Sequence, residues 1–393
     1  MLNHNFKHVF LVTLSLTLLL AVGVLSVGAF RPVYATTNTF QPCDIFTAVD
    51  SGSINWYRPN TCPGIPSSVT LQGVLTGGSS YMTGMGFDPA SCESAGVTGG
   101  IPNPNPGVPC MYATDFGTGS ILVYDNTGAL LGTCFILGGA GSGVESVEAI
   151  EGTGGIAPGL IAGVADGVGQ MDQGPLPCES SSTLTTHTAS TQNRGTDWVD
   201  MSADKCTVLY TSEGSSILSF NMCTNTQNAA FATGLSSPGY ALKILPDASV
   251  IVAGTSVVTH VSSSGTVINT CDSSSSGAGG LFSLDILPGG AAFATGSFNN
   301  NQIDYLTVAS CDSGQATPAF SFDGTSGTGA ATGSVFGVAI YGESEVVHTT
   351  STTAQGVPEF GTGMSAILVA AIGMVGITML MRVRKSPIQS PIP

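Results

Sequence analysis

Charge is what this chain has least of. Asp, Glu, Lys and Arg make up only 9% of its 393 residues, too few to coat long soluble amphipathic helices. Abundant Gly, Ser and Thr instead favour short strands and many turns. Basic residues are scarcer still. Between residues 36 and 360, Arg58, Arg194, Lys205 and Lys243 oppose all 25 acidic groups, a formal charge of −21. Such a surface repels nucleic acid. It leaves cations, basic partners or plain solubility as its uses. The chain has no Cys-x-x-Cys pair, which argues against zinc. It has neither a Gly-x-Ser-x-Gly elbow nor a Walker loop. No Asn-x-Ser/Thr acceptor occurs, so N-glycan shielding is not expected. His187, His260 and His348 have no Glu or Cys companion at ligand spacing, and each reads as a surface or loop residue. "DGVGQMDQG" (166–174) lacks calcium-loop spacing and reads as a flexible turn.

Apolar runs are confined to the two ends. Lys7, flanked by His4 and His8, precedes the run Val9 to Phe30, and Val33-Tyr34-Ala35 offers small residues for cleavage. Residues 1–35 therefore read as a secretory signal, with an uncleaved anchor as the alternative. Met364 to Met381 is uncharged and about long enough to cross a bilayer as a helix. Arg382, Arg384 and Lys385 follow at once and hold that end in the cytoplasm, so the rest lies outside the cell. All ten cysteines fall in that exterior region. An even count in a secreted chain argues for disulfides.

Within the exterior region a single pattern recurs. "LYTSEGSSILSFN" (209–221) reads as two strands around a polar turn. "MYATDFGTGSILVYDNTG" (111–128) and "IFTAVDSGSINWYRPN" (45–60) match it. "VIVAGTSVVTHVSSSG" (250–265) and "AFATGSFNNNQIDYLT" (292–307) are looser copies, and "LIAGVADGVGQMDQG" (160–174) is the weakest. A second strand motif precedes most copies: "TGMGFDPAS" (83–91), "SVEAIEG" (146–152), "WVDMSADK" (198–205), "ALKILPDAS" (241–249) and "SLDILPGGA" (283–291). Its sixth copy, "FGVAIYGE" (336–343), has no hairpin after it, and the first hairpin has no motif before it. A closed ring resolves both gaps: Val335–Ile340 pairs with Ile45–Val49 inside one sheet. The expected fold is all-β, a six-bladed β-propeller over residues 36–345. A seventh blade in 170–195 and a pair of β-sandwiches are the competitors.

This layout suggests disulfides. Cys43 with Cys62, and Cys206 with Cys223, flank hairpins. Cys92 with Cys110 ties off a Pro/Gly insertion between two strands of one blade. Cys134, Cys271 and Cys311 end outer-strand runs. Pairing Cys134 with Cys178 and Cys271 with Cys311 completes the set.

The middle residues of the inner strands are Gly86, Glu148, Asp200, Lys243, Asp285 and Ala339. Four of the six are charged in a chain poor in charge. Placed near the axis, they make either a polar or cation-binding pocket or a hydrated channel braced by ion pairs from Lys243 to Asp200 or Asp285. Three residues earlier come Thr83, Glu145, Asp197, Tyr240, Phe282 and Phe336. The aromatic members read as core, or as one wall of a pocket.

The repeating units resemble those of NHL-repeat and gluconolactonase-like six-bladed propellers. In gluconolactonase-like hydrolases, ligands of a divalent metal sit just before inner strands. The resemblance implies Glu145 and Asp197 as metal ligands, for Ca or Mg, in a lactone or ester hydrolase. The other blades place no third carboxylate there. The C-terminal "VPEFGTGMSAILVAAIGMVGITMLMRVRK" resembles the tripartite PEF-type sorting signals of archaea, carried here by Pro358, Glu359, Phe360 and Gly361, the apolar span and the basic cluster. It implies processing by an archaeosortase, a membrane transpeptidase. A plain membrane anchor is the alternative. Residues 346–357 form a polar tether before the 358–393 signal. Taken together, the sequence points to binding of a ligand, glycan or surface protein at the cell surface. Hydrolase and architectural envelope component are the other readings.

Overall fold

The computed structural model describes residues 39–88, 110–136, 143–150, 159–165, 169–175, 184–272, 279–314 and 317–342. The chain divides into two compact units, residues 1–346 and 347–393, and all described residues belong to the first. The signal, tether and sorting tail expected at the two ends lie outside the described residues, as do Cys92, Cys178 and His348. Among the described residues no helix is long and apolar enough to cross a membrane.

Six sheets are arranged as blades. Blade 1 holds β1 (Ile45–Val49), β2 (Ser53–Pro59) and β3 (Val69–Thr76), with β25 (Val335–Ile340) as its inner strand. Blade 2 is β4 (Met82–Asp88), β5 (Cys110–Asp115), β6 (Ser120–Tyr124) and β7 (Leu130–Ile136). Blade 3 is β8 (Val144–Ile150), β9 (Gly159–Val164), β10 (Gln170–Pro175) and β11 (Thr185–Thr188). Blade 4 is β12 (Val199–Met201), β13 (Thr207–Tyr210), β14 (Ser216–Asn221) and β15 (Thr226–Gln227), with β16 (Ala232–Thr233) also on β14. Blade 5 is β17 (Gly239–Ile244), β18 (Val250–Gly254), β19 (Val257–Val261) and β20 (Val267–Asp272). Blade 6 is β21 (Leu281–Ile286), β22 (Ala292–Ser297), β23 (Gln302–Thr307) and β24 (Phe320–Asp323), with helix α1 (Val308–Asp312) after β23.

The ring closes as the sequence requires. β25 runs antiparallel to β1, with Ile45 opposite Ile340 and Phe46 opposite Ala339. The competing seventh blade in 170–195 is not formed, and residues there supply the outer strands β10 and β11 of blade 3. Residues 170–174 of the expected flexible turn instead belong to strand β10, because Met171 packs among Ile161, Val208 and Phe220.

The two strands of a blade nearest the axis are buried on both faces, so the inner run "VESVEAI" (β8) and the second-strand run "IFTAV" (β1) show no exposed residue. Radial packing divides the core into six clusters, one between each pair of neighbouring blades. The closing cluster joins Ile45, Val338 and Ile340 of blade 1 to Ala294, Ile303 and Tyr305 of blade 6. Burial of that kind is worth ~25 cal/mol per Å² of apolar surface. Replacing Phe46 or Phe293, both fully buried, by Ala therefore costs ~3–5 kcal/mol.

Hydroxyls fix the blades' register. Thr114 Oγ1 donates to Glu145 O at 3.2 Å, Ser146 Oγ to Asp197 O at 2.6 Å, and Thr211 Oγ1 to Tyr240 O at 2.5 Å. Blades 1 and 2 approach so closely that a Cβ on Gly337 would lie 1.8 Å from Thr83 O. Only glycine fits there.

Three disulfides are seen as expected: Cys43–Cys62, Cys206–Cys223 and Cys271–Cys311. Cys110 and Cys134 are disulfide-bonded too. Cys311 ends no strand. It lies in α1, where Thr307 Oγ1 caps the helix by accepting from Ser310 N, and its bond to Cys271 of β20 ties blade 6 to blade 5. Two histidines expected at the surface are buried beside polar partners. His187 lies between Asn225 Oδ1 (2.7 Å) and Gln173 Oε1 (3.1 Å). His260 lies between Asp312 Oδ1 (2.6 Å) and Ser249 Oγ (2.9 Å), a polar clasp on the blade 5–6 seam.

Candidate functional site

Side chains alternate along a strand, so residues three apart should face opposite sides. Here they do not, because every inner strand carries one extra residue near its start. The pairing of β8 with β9 skips Glu145, passing from Val144 to Ser146. The same skip falls on Tyr240 in β17 and on Phe282 in β21. In β25 it falls on Phe336, between Val335 and Gly337. In blade 2 Thr83 and Gly84 stand opposite Thr114 alone. Just before β12, Asp197 N donates to Thr211 O and Thr211 N to Trp198 O, so Thr211 faces both residues. A bulge re-aims the side chain it carries. It sets Thr83, Glu145, Asp197, Tyr240, Phe282 and Phe336 at one equivalent position around the propeller, an upper ring in which Thr83 Oγ1 turns to Thr114 Oγ1 (2.7 Å) and Val144 O (3.1 Å) in the blade 2–3 seam. Gly86, Glu148, Asp200, Lys243, Asp285 and Ala339 form a lower ring three residues on.

The lower ring is a braced ion cluster. Lys243 Nζ lies 3.5 Å from Glu148 Oε2 and 3.7 Å from Asp285 Oδ1, all three side chains buried or nearly so. The bridge thus reaches Asp285 and also Glu148, and the Lys243 charge acts on Asp200 as well. The two aspartates instead staple blades. Asp200 accepts from its neighbour Met201 N (2.9 Å) and from Ile244 N of blade 5 (2.6 Å). Asp285 does the same with Ile286 N (2.9 Å) and Ile340 N of blade 1 (2.5 Å). Burial pushes Glu148 up to about 7, with Lys243 opposing and the two aspartates adding to the rise. Burial raises Asp200 as well, against Lys243 and its two backbone donors. A cavity of about 230 Å³ opens beside this ring, lined in part by Glu148, Asp200, Lys205, Phe231 and Leu245.

The upper ring has two halves. Blades 5, 6 and 1 give an aromatic arc. Tyr240 stacks on Phe282 at 5.7 Å, and Phe282 meets Phe336 edge-on at 5.7 Å. Phe298 stacks on Phe336 at 5.8 Å, and Tyr81, 48% exposed, closes the arc against Phe336. Blades 3 and 4 give the polar half. Glu145 and Asp197, 2% and 3% exposed, are close enough to bond through one shared proton. Glu145 Oε2 and both Asp197 oxygens receive no hydrogen bond from a donor among the described residues. Burial, and then the charge of Glu145, pushes Asp197 up to about 10. Burial also raises Glu145, with Arg194 opposing. Arg194 Nη1 lies 2.7 Å from Glu213 Oε1 and 3.5 Å from Glu145 Oε1, and its guanidinium sits over the Phe116 ring at 5.9 Å.

Sequence reasoning missed Arg194, Glu213, Phe298, Phe116 and Tyr81. Arg194 carried a signal, being one of four basic residues between residues 36 and 360. Phe116, Glu213 and Phe298 lie in the turns of repeated hairpins, where the copies differ in residue type, and Tyr81 precedes β4.

The donor set does not suit a divalent cation. Among the described residues no group of three or more His, Cys, Asp or Glu side chains is arranged to hold a metal. Arg194 already brings positive charge to the carboxylates, and three of the six ring positions are aromatic.

No protein-family model matches the chain, and no curated protein is similar to it in sequence. Solved structures are similar in fold. A chain from the crystal structure of a nidogen/laminin complex superposes with a TM-score of 0.54 at 11% identity, covering 76% of this chain and 97% of that one. The β-propeller domain of Cps50 (Swd1) from Myceliophteria thermophila aligns with a TM-score of 0.43 at 10% identity, covering 73% and 89%. At such identity the first likeness speaks for the propeller fold alone, and this fold is compatible with a binding role. The three disulfides point to an extracellular or secreted protein.

Proposed function

We propose that this is a cell-surface propeller that binds a ligand in the upper mouth. One observation carries the reading: buried carboxylate oxygens without donors occupy, in blades 3 and 4, the same bulge position that partly exposed aromatic rings occupy in blades 5, 6 and 1. Aromatic surface with a few convergent polar groups is what a ligand site needs. In this reading residues 1–35 direct export and 346–357 form the tether. The 364–381 helix attaches the protein to the membrane, and Pro358, Glu359, Phe360 and Gly361 are read by a sorting transpeptidase. A glycan or a neighbouring surface protein are the partner classes. Propellers of this fold include a chain from a complex with laminin, which is consistent with protein binding.

The test is a glycan array together with a pull-down against the cell envelope, run on the intact protein and on a Phe282→Leu, Phe336→Leu double variant. Saturable binding that the double variant loses supports the mouth. Binding that survives the double variant unchanged places the function elsewhere and overturns the reading.

A further inference from the structure

The mouth's chemistry narrows the ligand class, an inference that rests on the binding role proposed above. Glu145 and Asp197 hold one proton between them and are otherwise acceptors, so a ligand that satisfies the bare lone pairs on Glu145 Oε2 and Asp197 must donate. A neutral hydroxyl donates one proton and also carries lone pairs that face carboxylates badly. An ammonium donates three protons and has no lone pair to repel. The aromatic arc favours the same choice. The face of an aromatic ring carries the negative end of its quadrupole and attracts cations. Tyr240, Phe282, Phe336 and Phe298 form a continuous set of such rings in blades 5, 6 and 1, and the carboxylates hold the equivalent positions in blades 3 and 4. The field of the whole exterior region, with its 25 acidic groups against four basic ones, draws cations in.

Arg194 does not fill this role. Its guanidinium is held by Glu213 at 2.7 Å and reaches only Oε1 of Glu145, at 3.5 Å. It leaves the remaining acceptors of the pair bare. It also fixes one edge of the mouth, with Phe116 beneath it.

We propose that the upper mouth binds a primary alkylammonium group, its N–H donors on Glu145 and Asp197 and its alkyl stem along Phe282 and Phe336. A quaternary ammonium suits the rings but has nothing to donate. The lower ring offers no equivalent place, since Lys243 and backbone N–H groups already serve its carboxylates.

Calorimetric titration of the full-length protein tests this with five probes: Nα-acetyl-lysine methylamide, n-butylamine, Nα-acetyl-norleucine methylamide, tetramethylammonium and glucose. The first two separate a lysine side chain from a free amine. Both bind if the ammonium and stem suffice, and only the first binds if peptide contacts are needed. Either result supports the proposal. The norleucine compound and tetramethylammonium are expected to bind at least roughly tenfold more weakly, the loss of about one charged hydrogen bond. Asp197→Asn is expected to weaken lysine-probe binding to a similar degree. Phe282→Leu, which keeps an apolar side chain, removes only the ring contribution, a loss of roughly two- to tenfold. Thermal midpoints within a few degrees of the parent's exclude misfolding as the cause, and a variant that fails this check is replaced by Glu145→Gln. Equal binding of lysine and norleucine probes, or tighter binding of tetramethylammonium, overturns the proposal. If glucose or an array glycan binds at the mouth and no amine does, the ammonium assignment fails while the binding role stands. If nothing binds in a mouth-dependent way, both fail.

Discussion

The two rings around the axis hold similar residues in opposite states. Three carboxylates of the lower ring meet one lysine and four backbone N–H groups. Two carboxylates of the upper ring meet an arginine engaged mainly elsewhere, and three of their oxygens stay bare. A buried charge that is fully served holds a fold together, whereas one left bare costs stability and persists where it has another use. Charge at the axis thus identifies no site by itself. The state of its hydrogen bonds does.

Substitutions should separate the rings most sharply through stability. Lys243→Ala leaves Glu148 and Asp285 buried without their counter-charge, and should cost ~3–5 kcal/mol in a urea melt. A loss under ~1 kcal/mol would mean the cluster is better hydrated than its burial implies. Asp285→Ala removes the acceptor of Ile340 N on the closing strand. It should cost ~1–3 kcal/mol, and hydrogen exchange should rise first along β1 and β25.

Smaller effects follow from pH. Glu148 is raised in the fold from an ordinary 4.5 to about 7. Its contribution is therefore complete below about 4.5 and is lost as pH rises through about 7. The slope from this one group is at most ~1.4 kcal/mol per pH unit. Glu148→Gln should flatten the fall in that window, read from melting midpoints at pH 4.5, 6 and 7.5. Asp197, raised to about 10, extends a shallower decline further into alkali. The smallest change is expected from Asp197→Asn at neutral pH. Its protonated carboxyl bonds Glu145, and the amide can still donate there, so stability should stay within ~1 kcal/mol even as ligand binding weakens. A loss as large as that of Lys243→Ala would erase the distinction between the rings.

Much of the architecture was legible in the residues. Hairpins such as Thr207–Asn221 repeat in strand pattern and turn, and the unmatched copies at the two ends imply closure from the sequence alone. Cys271–Cys311 was legible as a pair but not as a bond between blades, because nothing in "TVASC" announces α1. The weakest copy, around Ile161, hid β10 behind glycines and an aspartate that resemble a loop. The bulges were invisible. One extra residue leaves no trace in composition, yet it decides whether Glu145 faces the axis or the neighbouring blade. The polar partners of His187 and His260 were equally hidden, since Asn225 and Asp312 are distant in the chain and brought near by the ring.

Closure of blade 1 by its last strand also sets an order of events during synthesis. Ile45–Val49 emerges from the ribosome about 290 residues before Ile340, its partner at the hydrogen-bonding edge. At ~5–20 residues per second that edge waits roughly 15–60 s for its mate. The earliest-made hairpin is therefore among the last to be completed, and a truncated chain would carry an open, adhesive border where the finished one has none.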